Sequence, residues 1–212
     1  MKIKISELFL IFSIALIIGC TSDDSKQRKP SEVQVEKVID YSNIFKPLDG
    51  TWEGEFKIYI DTLGQRKGTP QPKEIDYNLI SKPSFKLQSI IKAKHIYKSV
   101  TPFYQEGEII DVITNSDGTE DTIKSNARNL VEDKKLKCFV YKPNETVVHE
   151  GEFLRNNTIV WHRSLKNPLK IEYFKETVND GYYKIIGWGY YGKDDPNLTP
   201  RIWFYADYIK TK

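Results

Sequence analysis

The sequence predicts an all-β domain, a single antiparallel up-and-down β-barrel of about eight to ten strands, with a β-sandwich or an open half-barrel as the alternatives. Three observations carry this. Past residue 50 the apolar residues recur with period two, the repeat of a strand buried on one side and wet on the other. The segments with this repeat are punctuated by Asp117-Gly118, Asn156-Asn157 and Asn179-Asp180-Gly181, residues that tolerate positive φ in hairpin turns. No amphipathic helical stretch of comparable strength intervenes. Sequential strands joined by short turns make an antiparallel sheet, and closure removes its edges. With 212 residues, 39% of them hydrophobic, the chain can bury one sizeable core, so one domain is expected.

The first segment sets the compartment. Lys2 and Lys4 precede an apolar run over 8–18 that is too short to span a bilayer as a helix, which reads as an export signal. The run ends in "LIIGCTSDD", which resembles the lipobox of bacterial lipoproteins: apolar residues including Ile17, the small Gly19, then Cys20. The resemblance implies a signal peptide over 1–19, lipidation of Cys20 as the mature N-terminus, and anchoring by acyl chains of the palmitate type. At about 0.8 kcal/mol per buried methylene, several such chains hold a protein on a membrane without a transmembrane helix. Ser22, Asp23 and Asp24 are similar to the acidic signal that sends some lipoproteins to the cell-surface face of the outer membrane. The polar stretch 20–46, with Pro30 and few large apolar residues, is expected to be a flexible tether reaching on the order of 25–30 Å. The barrel domain is expected over 47–212.

The first strand is read over 50–60. Trp52, Gly54, Phe56, Ile58 and Ile60 share one face; Thr51, Glu53, Glu55, Lys57 and Tyr59 share the other. Glu53 and Glu55 thus belong to a wet surface and not to an acid/base dyad. A second alternating stretch is read over 74–80. A third, 85–98, sets Phe85, Leu87, Ser89, Ile91, Ala93, His95 and Tyr97 against a face with four lysines, which fixes that face outward. Further strands are read over 108–114, 122–130, 136–141, 146–154, 158–164, 169–178, 182–191 and 201–209. The loop "NSDGTED" lacks the spacing of a calcium site and reads as a solvated hairpin turn.

The Gly50-x-Trp52 pair that opens the first strand is similar to the motif at the same place in the calycin superfamily, which includes lipocalins and bacterial lipocalin-like domains. The resemblance implies that Trp52 closes one end of the barrel, with a basic residue from near the chain's end packed across it. Arg201, in "TPRIWFYADY", is the candidate partner, making Trp52 and Arg201 the barrel-closing pair. A cation on an aromatic face is worth about 0.5–2 kcal/mol. The segment past Ser164 lacks the C-terminal helix common in lipocalins proper.

Charge and motif content exclude several functions. The 32 basic and 29 acidic residues are interspersed, giving a formal charge of +3 and no basic stripe for nucleic acid. There is no GxSxG, glycine-rich phosphate loop, HExxH or CxxCH, so neither catalysis nor a cofactor is expected. Cys138 alternates with Leu136 and Val140 on an apolar face and reads as a buried small residue. A two-residue Asn156-Asn157 turn would set Gly151 opposite His162, bringing His149 and His162 onto one face as diagonal neighbours and pairing Glu150 with Arg163 outside. Two imidazoles so placed are weak candidates for a metal, with His95 as a third ligand or a haem ligand; the alternative is ordinary core histidines.

The function expected is non-catalytic: a monomeric barrel holding a small apolar or amphipathic molecule against Trp52, Phe56, Tyr77, Phe85, Ile91 and His95. The alternative rests on the aromatic surplus of the last third, including Tyr173, Trp188, Tyr190, Trp203 and Tyr205, part of which must point outward. Exposed aromatics of that kind would bind glycan or another envelope protein. Asp61-Thr62-Leu63 and Asp121-Thr122-Ile123 resemble a short bacterial O-glycosylation sequon and agree with surface exposure.

Overall fold

The computed structural model describes residues 39–155 and 157–212. The expected signal peptide, Cys20 and most of the expected tether lie outside the described residues. Ten strands follow in order: β1 (Gly50–Asp61), β2 (Phe85–Thr101), β3 (Tyr104–Thr114), β4 (Glu120–Glu132), β5 (Lys135–Tyr141), β6 (Thr146–Phe153), β7 (Thr158–Leu165), β8 (Lys170–Asn179), β9 (Tyr182–Tyr191) and β10 (Ile202–Lys210). Each pairs antiparallel with the next and β10 returns to β1, so the sheet is a closed up-and-down barrel of the lipocalin-like kind. Closure leaves no edge, which rules out the sandwich and the half-barrel.

One end of the barrel is plugged. Residues ahead of β1 fold back over it through a 3-10 turn at Lys46–Leu48. Ile44, Phe45 and Leu48 are buried there, the first two against Leu136, Ile159 and Trp161 at the starts of β5 and β7. The folded unit therefore begins at Ile39 and not at 47. Asp49 fastens the plug: its Oδ1 accepts from the Ser99 backbone N–H (2.8 Å), the Ser99 hydroxyl (2.7 Å) and Gln105 Nε2 (2.9 Å). Gln105, fully buried, also donates to the Phe45 carbonyl (2.9 Å) and accepts from Asn129 (2.9 Å). Burial works against the Asp49 carboxylate, but these donors and Lys46 together hold its pKa below the ordinary value.

Gly50 and Trp52 lie at the plugged end, at the start of β1. Gly50 sits at φ +127°, where a Cβ would strike the Lys212 carbonyl. Trp52 is buried, its Nε1 donates to the Leu48 carbonyl (2.7 Å), and its ring meets Tyr183 edge-on at 5.8 Å. The cation over that ring is Lys210, with Nζ 5.2 Å from the centroid, and not Arg201. The antiparallel register decides this: Trp52 faces Lys210 on β10, whereas Arg201 precedes that strand at the opposite end and lies 3.7 Å from Asp194.

Three further expectations are corrected by register and partners. The stretch 74–80 is no strand, because β1 pairs directly with β2 and leaves it no edge. It forms a 3-10 turn, Tyr77–Ser81, capped by the Asp76 side chain, within a long 62–84 loop. Second, β2 carries a bulge: Ile58 faces Ser89 but Tyr59 faces Leu87. One extra residue reverses side-chain parity beyond it, so Phe85 and Leu87 point outward while Ile91 to Tyr97 keep their inward alternation. Third, the β6–β7 connection spans three residues, with Leu154 N–H donating to the Thr158 carbonyl (2.7 Å) and Asn157 at φ 52°. The pairing is Glu150 with His162 and Gly151 with Trp161, one residue off the expected register.

Outside the barrel the 62–84 loop covers the aromatic wall. Ile75 and Leu79 pack with Phe85 and Tyr59 on Trp188, Tyr190 and Trp203, which are all buried. Lys175 Nζ donates to the Lys73 and Ile75 carbonyls (3.2 and 3.1 Å), and Tyr77 donates to Thr177 Oγ1 (2.8 Å). The aromatic surplus expected at the surface is largely a second core under this loop.

Candidate functional site: the barrel interior

The inward faces of the strands enclose a cavity of about 340 Å³, at the low end of the ~300–1,000 Å³ typical of small-molecule sites. A glycine gives the Tyr208 ring its place. Gly54, on β1, lies between Tyr208 and Ala93 in register; a Cβ there would strike the Asp207 carbonyl and the Tyr208 ring. The Tyr208 ring thus leans across β1 to within 4.8 Å of His95.

The floor, next to the Trp52 plug, is polar. His95 faces Ile109 and Ile109 faces Ser125 across β2, β3 and β4, so the imidazole and the hydroxyl lie in one row. His95, Ser125 and Tyr208 are 7%, 3% and 0% exposed, and His95 Nδ1, Ser125 Oγ and Tyr208 Oη have no protein hydrogen-bond partner. Burial pushes the His95 pKa down to about 4, so it is neutral at pH 7, and burial raises Tyr208 far above the ordinary phenol value. Asp111, on the same wall, is raised by burial, with Lys142 opposing.

The wall carries an aromatic stripe. Phe56 stacks on Phe204 (5.7 Å), Phe204 on Phe174 (5.3 Å), and His149 meets Phe174 edge-on (5.5 Å). Ile91, Ile109 and Ile185 complete it.

The open end is charged. Arg163, only 7% exposed, lies 3.4 Å from Glu172 Oε2 and 3.2 Å from Glu145 Oε2. Tyr191 donates to the other Glu172 oxygen (2.7 Å), and Lys170 stands 3.8 Å from Glu145. The Arg163 hydrogen bond holds the Glu145 pKa low. His149 Nε2 is 3.8 Å from Glu172, but burial and the nearby Arg163 cation push its pKa down to about 4, so it is neutral and forms no ion pair at pH 7.

Of the six residues expected to line the site, Phe56, Ile91 and His95 do. Trp52 is in the plug beneath it; Tyr77 is outside on β8, and Phe85 is outside against Trp203 (5.4 Å). The metal candidates separate. The corrected β6–β7 register puts His149 inside and His162 outside, where its ring lies 4.8 Å from Tyr173. The same shift moves Arg163 from the expected surface pair with Glu150 into the barrel. Among the described residues no three His, Cys, Asp or Glu side chains are grouped to hold a metal ion. Cys138 faces inward beside His149, and burial raises its thiol pKa. The sequence reading missed Tyr208, Ser125 and the Arg163–Glu172–Tyr191 group. Tyr208 was within reach, because Phe204, Ala206 and Tyr208 alternate; Arg163 was hidden behind the turn length.

No protein-family model matches this chain, and no curated protein matches it.

Proposed function

We propose that this chain is a lipid-anchored binding protein of the outer membrane, facing the cell surface, whose barrel sequesters a small amphipathic molecule without turning it over. The observation that carries the reading is the interior cavity of about 340 Å³, plugged at one end and opening at the other through a charged rim. An aromatic and aliphatic wall beneath charged groups suits a ligand with an apolar body and a polar outer end. The "LIIGCTSDD" stretch supports the anchor. The folded unit starts at the plugged end, which leaves the rim at the far end from the point where the anchoring segment joins. The rival reading, glycan or protein capture by exposed aromatics, loses its main surface, since Trp188, Tyr190 and Trp203 are buried.

Native mass spectrometry of the full chain, purified from membranes without denaturation, tests the binding. The expected result is a retained small molecule, lost in an Ile91→Phe/Ile109→Phe variant that fills the cavity while the fold persists by circular dichroism. Labelled palmitate should enter the native chain and not Cys20→Ala. A native chain that carries no molecule and takes up no amphiphile in solution sinks the binding reading.

A further inference from the structure

We infer that the ligand's inner end is an uncharged hydrogen-bonding group on a ring, of the phenol, cyclic alcohol or cyclic ketone class, seated on His95, Ser125 and Tyr208. This rests on the cavity being a binding site and adds which end of the ligand enters first and what it carries.

Three features of the floor lead there. Three residues that line it each carry a buried polar atom with no protein partner: His95 Nδ1, Ser125 Oγ and Tyr208 Oη. A buried polar group left unmatched costs about 1–3 kcal/mol, so a bare hydrocarbon tail pressed onto this floor would strand three of them. A hydroxyl or carbonyl would match them, since the two hydroxyls both donate and accept and a neutral imidazole offers one of each. The inner end is therefore polar, the reverse of a fatty acid entering tail first.

That polar end carries no net charge. The cations that line the cavity, Arg163, Lys142 and Lys170, belong to the rim strands and turn, and Arg163 is committed to Glu172 and Glu145. The floor offers an anion no cation, and Asp111 on the adjacent wall adds a carboxyl that repels one. A cation would meet a neutral imidazole and a ring of phenol and phenylalanine side chains, with Asp111, in register with Tyr208 across β1 and β2, as the one carboxyl lining the cavity near the floor.

The body is a ring. Phe56, Phe204 and Phe174 run along one wall with interplanar angles near 30° (30° and 28°), presenting a flat aromatic stripe. The cavity of about 340 Å³ equals the liquid share of about eleven water molecules, room for two fused rings. Offset stacking against such a stripe adds about 0.5–1.5 kcal/mol per ring pair beyond area.

Three probes of one shape separate the terms: 2-naphthol, naphthalene and 2-naphthoate, titrated into the full chain at pH 7 by calorimetry. The expected order has 2-naphthol binding about tenfold or more tighter than either of the others, one hydrogen bond's worth. Tyr208→Phe and Ser125→Ala should each erode the 2-naphthol affinity several-fold and strengthen naphthalene binding or leave it no weaker, because each removes a hydroxyl that naphthalene would strand, with folding checked by the melting curve. Tyr208→Phe keeps the ring that packs on His95, so a lost preference there reports the hydroxyl. Equal binding of naphthalene and 2-naphthol overturns the polar floor and leaves the cavity as a binding site. Preference for 2-naphthoate overturns it in favour of an anion. If no naphthalene probe binds, the inference falls; decanol binding in the same assay would then preserve the reading of the cavity, and its failure would sink both.

Discussion

At the scale of single residues, Arg163 shows how much rests on one side chain. A guanidinium this buried has lost its water, and its two carboxylates at 3.2 and 3.4 Å must compensate. Glu172 depends on it in turn, since its other partners are the Tyr191 hydroxyl and a neutral His149. Removing the arginine leaves Glu172 as an unmatched buried charge, the costly half of the asymmetry between breaking an ion pair and replacing it. Arg163→Met should therefore destabilise the barrel by about 3–5 kcal/mol in urea unfolding. Arg163→Met/Glu172→Gln should recover a substantial part of that loss, because an amide still accepts from Tyr191 and carries no charge. Additive losses in the double variant would show that the two side chains do not depend on each other.

At the scale of elements, the turns decide what the alternation alone leaves open. Period two identifies a strand and divides its residues into two sets, but which set faces inward relative to a neighbour follows from the number of residues in the connection. The sequence reading places β1 correctly, with Trp52, Phe56 and Ile58 facing in, because lysines and glutamates mark the wet face without reference to a neighbour. It fails at β7, where 158–164 carries an apolar residue on both faces and only the three-residue turn, with Asn157 in the left-handed region, settles the parity. It fails again at Phe85, where a bulge leaves no mark in an otherwise perfect alternation. The β4–β5 turn shows the same chemistry in a testable place. Glu132 faces Lys135 around Asp133 and Lys134, which sit at φ 50° and 61°. A primed two-residue turn of this kind prefers glycine at its second position, and a non-glycine residue there costs about 1 kcal/mol. Lys134→Gly should raise stability by about that amount and the melting temperature by roughly 2–4 °C. An unchanged or lowered melting point would mean that the turn's strain is relieved some other way.

At the scale of the whole molecule, the barrel buries titratable groups at both ends of its axis, and their shifts oppose one another. His95 on the floor and His149 near the rim have pKa values pushed down to about 4, so the folded chain binds fewer protons there than the unfolded chain below pH 6.5. Stability from these two is full above about 6.5 and is lost as pH falls toward 4. Glu176, in the plugged end, accepts from Trp161 Nε1 (2.9 Å), yet burial dominates and raises its pKa to about 7. The folded chain then holds a proton that the unfolded chain releases above about 4.5, so this stability is present in acid and is lost as pH rises through 7. Between 4.5 and 6.5 two histidines pull one way and one glutamate the other, and the histidines prevail; above 6.5 only Glu176 still titrates. Among these groups the stability curve should peak near pH 6.5, falling steeply on the acid side and gently to a plateau beyond pH 7. Glu176→Gln keeps the acceptor for Trp161 while removing the ionisation. Its urea midpoint at pH 8 should exceed that of the native chain, the gentle alkaline fall should vanish, and the acid limb should steepen because the opposing group is gone. A Glu176→Gln curve that only shifts, parallel to the native one, would show that the carboxyl titrates as it does in water and that the plugged end is wetter than its packing implies.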